Sequence, residues 1–222
     1  MPDKTLSSAQ RAIQELRQKV FSGELAAGSD HLESELANLL EMSRTPVREA
    51  VLTLESQGLL ELRPRKGVRI LPLSPEDMAE IYDVLTELES HAAERAAQAG
   101  LSDQELAHLA KAIDDMDRAL EKPDLDAWAE ADDRFHKELV RLGGNSRIES
   151  IVSMMSDQVR RARTTTLFIR PLPTKSNEDH RAVYQAIRDR DAITARTSHR
   201  QHRQHAKDIL VKLLNKHRLR FL

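Results

Sequence analysis

The sequence predicts a mainly α protein in which residues 1–73 form an N-terminal winged helix-turn-helix and residues 74–222 form a C-terminal all-α antiparallel helical bundle. Three observations predict this architecture. Aromatic residues make up only 3% of the chain, and Ala, Leu and Glu are abundant, which favours helices over sheets. Two short strand-like runs stand close together before residue 73. Beyond residue 74, apolar residues recur at helical spacing in every long segment.

The first domain is predicted to contain three helices followed by a hairpin. Thr45 suits the capping position of the third helix, and Pro46 suits its first turn. Two alternating runs flank a short basic turn, which indicates a β-hairpin. This order is typical of a winged helix-turn-helix. The predicted helices span 6–22, 34–40 and 45–58, and the predicted strands span 59–62 and 68–71.

The second domain is predicted to be a helical bundle that begins after a short linker, with Ser74 as a helix cap and Pro75 following it. Short loops between long amphipathic segments favour antiparallel packing. On the first of these helices, we expect Ile81, Leu85 and Leu88 to face the core. The predicted helices cover 76–98, 102–121, 125–142, 146–168, 174–189 and 191–217.

The composition excludes several classes of protein. The chain has no cysteine, which excludes disulfides, thiolate metal sites and a cysteine nucleophile. Its N-terminus lacks the apolar core of a signal peptide. No apolar run approaches the ~20 residues that a membrane span needs. We therefore expect a soluble cytoplasmic protein with no membrane partner.

Positive charge is concentrated in one short part of the first domain, although the whole chain has a net charge of −2. Such a local cluster is what a phosphate-binding face requires. In the second domain, residues 74–153 are predominantly acidic and residues 154–222 predominantly basic. We favour acidic and basic helices that pack together over a second nucleic-acid surface. The cationic residues of the first cluster are Arg44, Arg48, Arg63, Arg65, Lys66 and Arg69.

The run Ser43-Arg44-Thr45-Pro46-Val47-Arg48-Glu49-Ala50 predicts a DNA-reading helix. Arg44 and Arg48 are four residues apart and therefore project from one side, where they can reach guanine edges in a major groove. The Thr45 hydroxyl and the helix N-terminus can hold a phosphate. Two surface arginines on an ordinary helix are the alternative, but the neighbouring hairpin favours DNA binding. In that hairpin, Arg65 and Lys66 can reach the DNA backbone or minor groove, and Gly67 permits a tight turn.

Polar side chains interrupt the apolar faces of three helices in the second domain. Asp132 and His136 share a face at i and i+4, and His180, His199 and His202 follow on later helices. Burying these groups without partners would be costly. A divalent transition metal would satisfy them together, with zinc as the first choice and nickel, manganese or iron as alternatives. From periodicity alone, histidines hydrogen-bonded within the core explain the pattern equally well.

The chain resembles two known domain families. The first domain is similar to GntR-family DNA-binding domains, on Leu25-Ala26-Ala27-Gly28, Leu36-Ala37, the Ser43–Ala50 run, Leu54-Glu55 and Gly58-Leu59-Leu60. This resemblance implies a homodimer that binds a short palindromic double-stranded DNA operator. Glu41 stands where the family usually has glycine, so a left-handed backbone there would cost ~1 kcal/mol.

The second domain resembles the FCD domain of the FadR-like branch, on Asp132-Asp133-Arg134-Phe135-His136, Gly144-Asn145, Glu178-Asp179-His180 and His202. The resemblance implies a metal held by Asp132, His136, His180 and His202, and a small carboxylate effector bound beside it. Either His199 or His205 could replace His202, and Asp133 could replace Asp132. Many members carry an arginine at the position of Leu85, so the effector is left unidentified. Arg160 and Arg163 are candidates to supply the missing charge.

These features predict a transcription regulator controlled by an organic-acid effector at a metal-containing site. One alternative is a regulator that responds to the metal itself. A metal-dependent enzyme is a weaker alternative, because the sequence offers no clear general base, nucleophile motif or glycine-rich phosphate loop and because it would leave the DNA-binding motif unexplained. We therefore expect no catalytic activity.

Overall fold

The computed structural model describes residues 6–72, 74–122 and 124–217, and it divides the chain into two compact units. One unit extends to Ser74 and the other covers Pro75–His217. Each has its own hydrophobic core. The predicted fold class, a winged helix-turn-helix followed by an all-helical bundle, is confirmed.

The first unit combines three helices with a small antiparallel sheet. The strands lie in the order β1-β3-β2, with Asp30 opposite Arg69 and Leu60 opposite Ile70. Strand β1 is only two residues long, too short for an alternating pattern to reveal it in the sequence. The elements are α1 Ser8–Phe21, β1 Asp30–His31, α2 Glu33–Leu39, α3 Arg44–Ser56, β2 Leu60–Arg63 and β3 Gly67–Ile70.

Two details of the first unit differ from the sequence prediction. Helix α3 begins at Arg44, so that Ser43 and not Thr45 holds the capping position, where its backbone is extended (φ −69°, ψ 161°). The first helix was predicted to begin at residue 6, but Leu6 lies outside α1. That helix begins at Ser8, after a capping box between Ser7 and Gln10, and Leu6 is 51% exposed. The left-handed backbone expected at Glu41 is present, with φ 52°.

The second unit is a bundle of long helices, and its helix boundaries lie within two residues of those expected from periodicity. A 3₁₀ turn at Leu167–Ile169 ends the fourth helix of the bundle. No helix among the described residues is both long and apolar enough to cross a membrane. The helices are α4 Pro75–Ala99, α5 Asp103–Glu121, α6 Leu125–Leu142, α7 Ser146–Thr166, α8 Thr174–Arg188 and α9 Ala192–His217.

The buried face of α4 is rotated relative to the face expected from sequence. Ile81 and Leu88 are only half-buried, whereas Tyr82 and Glu89 are fully buried. The face follows Met78, Tyr82, Leu85, Glu89, Ala92, Ala93 and Ala96, which keeps helical spacing with an acidic residue in the middle. The fold therefore places a carboxylate in the interior of the bundle.

The acidic α4 and the basic α9 pack against each other, as the charge distribution predicted. Arg196 Nη1 lies 2.6 Å from Glu94 Oε2, and Lys207 Nζ lies 2.6 Å from Asp83 Oδ1. Arg200 pairs with Glu87 in the same row. Cations of the C-terminal segment therefore pair within the bundle, so their abundance does not require a second nucleic-acid surface.

Candidate DNA-binding surface and metal centre

Helix α3 presents the predicted DNA-reading residues to solvent. Arg44, Thr45 and Arg48 are all exposed, while Val47 and Val51 are buried on the opposite side. Arg44 occupies the first position of the helix, so both arginines lie close to its N-terminus. The backbone N–H groups there lack partners within the helix and can bind an anion. The arrangement can place two guanidinium groups beside a phosphate backbone.

The turn between β2 and β3 presents Arg65 and Lys66, which are both exposed. Arg65 is left-handed at φ 64°, and Gly67 follows at φ 86°. A Cβ atom at Gly67 would lie 2.3 Å from the carbonyl oxygen of His31, so only glycine fits against the neighbouring strand. The turn therefore depends on Gly67 for its backbone path, and the two cations stand at its tip.

The six cations of the basic cluster in residues 44–69 fall into two groups. Arg63 and Arg69 both pair with Asp30, at 3.1 and 3.5 Å. Within the described part of the chain, no ion pair involves Arg44, Arg48, Arg65 or Lys66. Their charges are therefore not neutralised by a neighbouring carboxylate.

In the second unit, the structure brings Asp132, His136, His180 and His202 together. One possible ligand atom from each lies within 4.8 Å of all the others, and all four side chains are buried. His136 Nε2 is 3.4 Å from His180 Nε2 and 3.3 Å from His202 Nε2. Asp132 Oδ1 lies 3.6 Å from His180 Nε2. Helices α6, α8 and α9 thus direct three imidazoles and one carboxylate to a common point.

Glu89 fixes the orientation of His136. Its Oε2 atom lies 3.0 Å from His136 Nδ1, so this nitrogen carries the proton and donates to the carboxylate. The Nε2 lone pair of His136 is then left facing the other two imidazoles. A carboxylate behind a histidine in this way sets the tautomer and raises the basicity of a metal ligand.

Burial and nearby charged groups shift the pKa values of the cluster residues. Burial lowers the pKa of His136 from 6.5 to about 3, and the nearby Arg203 acts in the same direction. Burial and the neighbouring His202 and His136 hold the pKa of His180 well below 6.5. Burial alone would raise the pKa of Asp132, but Arg163 and His136 outweigh it and lower that pKa. A neutral imidazole at His136 and at His180 and an ionised carboxylate at Asp132 are the forms that bind divalent metals.

The cluster is incompletely satisfied by its own hydrogen bonds. His136 Nε2 has one lone pair, which cannot accept good hydrogen bonds from both His180 and His202. On the far side of its ring, His180 Nδ1 is buried without a hydrogen-bond partner among the described residues. Metal–nitrogen bonds of about 2.1 Å place neighbouring ligand atoms roughly 3.0–3.4 Å apart, which is the spacing of these nitrogens. These residues therefore fit a divalent metal ion.

A second group of possible ligands, Glu89, His136 and His199, is better explained without a metal. Glu89 Oε1 already pairs with the guanidinium of Arg203, which is buried. Glu89 Oε2 lies within 3.4 Å of His199 Nε2, and His199 Nδ1 is 3.2 Å from Ser90 Oγ. Since an arginine supplies the positive charge, this group supports the first cluster and does not form a second metal site.

The sequence left open which of several neighbouring residues join the cluster, and their positions in the structure differ. His199 is buried but faces Glu89 and Ser90, and His205 is exposed. Asp133 lies outside the four-residue cluster and pairs with Arg160 and Arg163. Among these competitors, only His202 and Asp132 reach the common point.

Three buried polar residues around the cluster were missed or only partly foreseen from sequence. Arg163 pairs with both Asp132 and Asp133. Glu89 and Arg203 pair with each other in the interior. A signal for Glu89 was available, because it falls in the i, i+3/i+4 series of α4 between Leu85 and Ala92. Arg203 lies four residues after His199 and one residue after His202, on the buried side of α9.

Comparisons with known proteins agree with this architecture. Residues 8–70 match the family of bacterial regulatory proteins called gntR, and residues 80–205 match the FCD domain. An HTH-type transcriptional regulator from the TAR-I ttuE-ttuC' intergenic region of Agrobacterium vitis is 42% identical over 141 residues, which cover 61% of this chain and 82% of the relative. The gluconate operon transcriptional repressor of Bacillus subtilis (strain 168) is 29% identical over 203 residues, covering 86% of this chain and 81% of the repressor.

A solved structure, E. coli McbR/YncC, has the same fold. It superimposes with a TM-score of 0.77 at 22% identity, covering 94% of this chain and 99% of that one. The matched families and the relatives are transcriptional regulators and not enzymes. The chain belongs to the GntR family and carries an FCD domain, and it is therefore a DNA-binding transcription regulator.

Proposed function

We propose that this regulator binds a palindromic operator as a homodimer, and that a small carboxylate effector at a metal centre in the FCD domain controls its affinity for DNA. Asp132, His136, His180 and His202 hold the metal, with zinc as the first choice. The observation that carries the proposal is the convergence of three imidazole Nε2 atoms and one carboxylate in a buried cluster whose hydrogen bonds are incomplete.

The charge balance around the cluster supports an anionic effector. Asp132 is paired with Arg163 and Glu89 with Arg203, so the buried carboxylates and arginines compensate each other. A divalent ion would add two positive charges, and these two ion pairs have no excess negative charge to offset them. When bound, the ion would act as a Lewis acid for a carboxylate oxygen. The relative in Bacillus subtilis is named for an operon of gluconate, which is a carboxylic acid.

We propose that the DNA is read by Arg44, Thr45 and Arg48 on α3 and by Arg65, Lys66 and Gly67 in the wing. Among the described residues of the first unit, Arg44, Arg48, Arg65 and Lys66 are exposed cations without an ion pair, and they lie on these two elements. We expect the two arginines of α3 to approach base edges and the wing to approach the phosphate backbone.

Arg48→Ala is expected to weaken specific operator binding by about 1–3 kcal/mol and to relax the preference for one base pair, because a bidentate contact to guanine is lost. A fluorescence-anisotropy titration with the operator and with point-substituted operators measures both effects. Arg11→Ala is the matched control, since Arg11 is an exposed arginine on α1 that pairs with Glu15. Unchanged binding in the Arg48 variant would rule out this role for the recognition helix.

The regulatory part of the proposal is tested on the full chain, loaded with zinc or stripped of metal, by measuring operator affinity with and without a panel of small carboxylic acids. We expect at least one acid to change the affinity about 5–150-fold, and only when metal is present. An effect of zinc alone, with no response to any acid, would instead identify a regulator that responds to the metal. Equal responses with and without metal would contradict the proposed centre.

A further inference from the structure

The outer face of the small sheet in the DNA-binding unit carries as many acidic as basic side chains. Arg69 on β3 lies opposite both Asp30 on β1 and Glu61 on β2, so these three residues share one face. Arg63 lies two residues after Glu61 and therefore on the same face. Two carboxylates thus balance two guanidinium groups directly beside the turn that is proposed to contact DNA.

Asp30 contacts both arginines of this face. Its Oδ1 atom lies 3.1 Å from Arg63 Nη1, and its Oδ2 atom lies 3.5 Å from Arg69 Nη1. The contact to Arg63 reaches from β1 to β2 across the intervening strand β3. The three side chains are 29–45% exposed, and ion pairs that are this accessible contribute little to folding stability. The main consequence of the pairing is therefore the charge that this surface presents.

Both paired arginines lie close to the tip of the wing. Arg63 precedes Arg65 by two residues, and Arg69 follows Gly67 by two residues. Two residues along a strand span about 7 Å. That distance is shorter than the Debye length of about 8 Å at physiological salt, so charges this close are only partly screened from each other. A phosphate at the tip of the wing would therefore also attract both arginines if Asp30 did not pair with them.

We propose that Asp30 is a specificity-determining residue of the DNA-binding unit, because it holds Arg63 and Arg69 away from phosphates and so limits binding to DNA that lacks the operator. The inference rests on the proposed DNA-reading role of α3 and the wing. Non-specific binding comes almost entirely from phosphate contacts, whereas operator binding also depends on contacts to base edges. A carboxylate that offsets two cations therefore weakens non-specific binding more than operator binding.

The test measures the affinity of the full chain for a random-sequence duplex, and for a duplex that the chain selects from a random library, over a series of salt concentrations. We expect Asp30→Asn to strengthen binding to the random duplex about 3–10-fold, and binding to the selected duplex by less than about threefold. For the random duplex, the slope of log affinity against log salt should steepen by about 0.9–1.8 per chain, which corresponds to one or two added phosphate contacts. A role confined to stabilising the sheet would not steepen this slope.

Three further variants show whether the two arginines cause the effect. Glu24→Gln is the matched control, because Glu24 is a comparably exposed carboxylate that pairs with Lys19 outside α3 and the wing. It removes the same charge and should leave the ratio of the two affinities unchanged. Asp30→Glu keeps the charge and should also retain that ratio. Adding Arg63→Gln and Arg69→Gln to Asp30→Asn should abolish the gain, because no cation is then released.

Thermal unfolding followed by circular dichroism verifies that each variant is folded. An unchanged affinity and salt slope for the random duplex in Asp30→Asn would overturn the inference. So would an equal gain in Glu24→Gln, or a gain that persists without Arg63 and Arg69. Arg48→Ala, measured with the same duplexes, tests the proposed reading helix separately. Unchanged binding of the selected duplex in that variant would contradict the proposed function, whatever the result for Asp30.

Discussion

His136→Ala is expected to lower the zinc affinity of the full chain by at least about 100-fold, which is the largest effect on function that the structure predicts. Changes to groups that merely support a metal-binding histidine typically cost 10–100-fold in affinity. His136 is itself a proposed ligand, and its Nε2 atom lies 3.3–3.4 Å from those of His180 and His202. Its loss removes the central member of the cluster.

This prediction is measured by competition with a chromophoric zinc chelator, alongside thermal unfolding with and without zinc. Zinc should raise the melting temperature of the unchanged chain and have little effect on the variant. His205→Ala is the matched control, because His205 is an exposed histidine on α9. The DNA-binding unit should remain folded in both variants, since it has its own core. Equal zinc affinity in the His136 and His205 variants would exclude His136 as a ligand.

Arg203→Met is expected to lower the free energy of unfolding of the metal-free bundle by about 3–5 kcal/mol. Arg203 and Glu89 form a pair in the interior, and both are at most 3% exposed. Breaking such a pair leaves an uncompensated buried charge, which accounts for a penalty of this size. Glu89 is ionised in the unchanged protein. Burial alone would raise its pKa, but Arg203 and His136 hold that pKa well below 4.5.

Urea denaturation followed by circular dichroism measures this loss of unfolding free energy. Two further variants serve as controls. Arg200→Met breaks a pair with Glu87 in which both side chains are half-exposed, so it should cost less than about 1 kcal/mol. The double variant Arg203→Met with Glu89→Leu should be more stable than Arg203→Met alone, because neither charge is then left unpaired. A loss in Arg203→Met no greater than that in Arg200→Met would contradict the assigned role of the buried pair.

Much of the fold could be predicted from sequence because apolar spacing decides both helix position and helix face. On α6, Trp128, Phe135 and Leu139 define the buried stripe, and Asp132 and His136 fall on it. That spacing was enough to predict an inward Asp–His pair. On α4 the same reasoning was right for Leu85, which is fully buried, but it also chose Ile81 and Leu88, which are only half-buried. It gave no weight to Tyr82 and Glu89, which are fully buried.

The parts of the site that could not be predicted depend on contacts between distant segments. No local pattern shows that Arg163 of α7 meets Asp132 of α6, or that Arg203 of α9 meets Glu89 of α4. In the DNA-binding unit, the Ser43–Ala50 run identified the helix, but only the backbone showed that Ser43, and not Thr45, precedes its first residue.

The most direct test of the central claim is elemental analysis of the full chain, purified without a histidine tag and before any chelator is added. The account predicts about one transition metal ion per chain in the unchanged protein and none in His136→Ala. A protein without metal, even after zinc, nickel or manganese is added back, would contradict the account. The inward histidines would then be direct effector contacts or hydrogen-bond partners of the core.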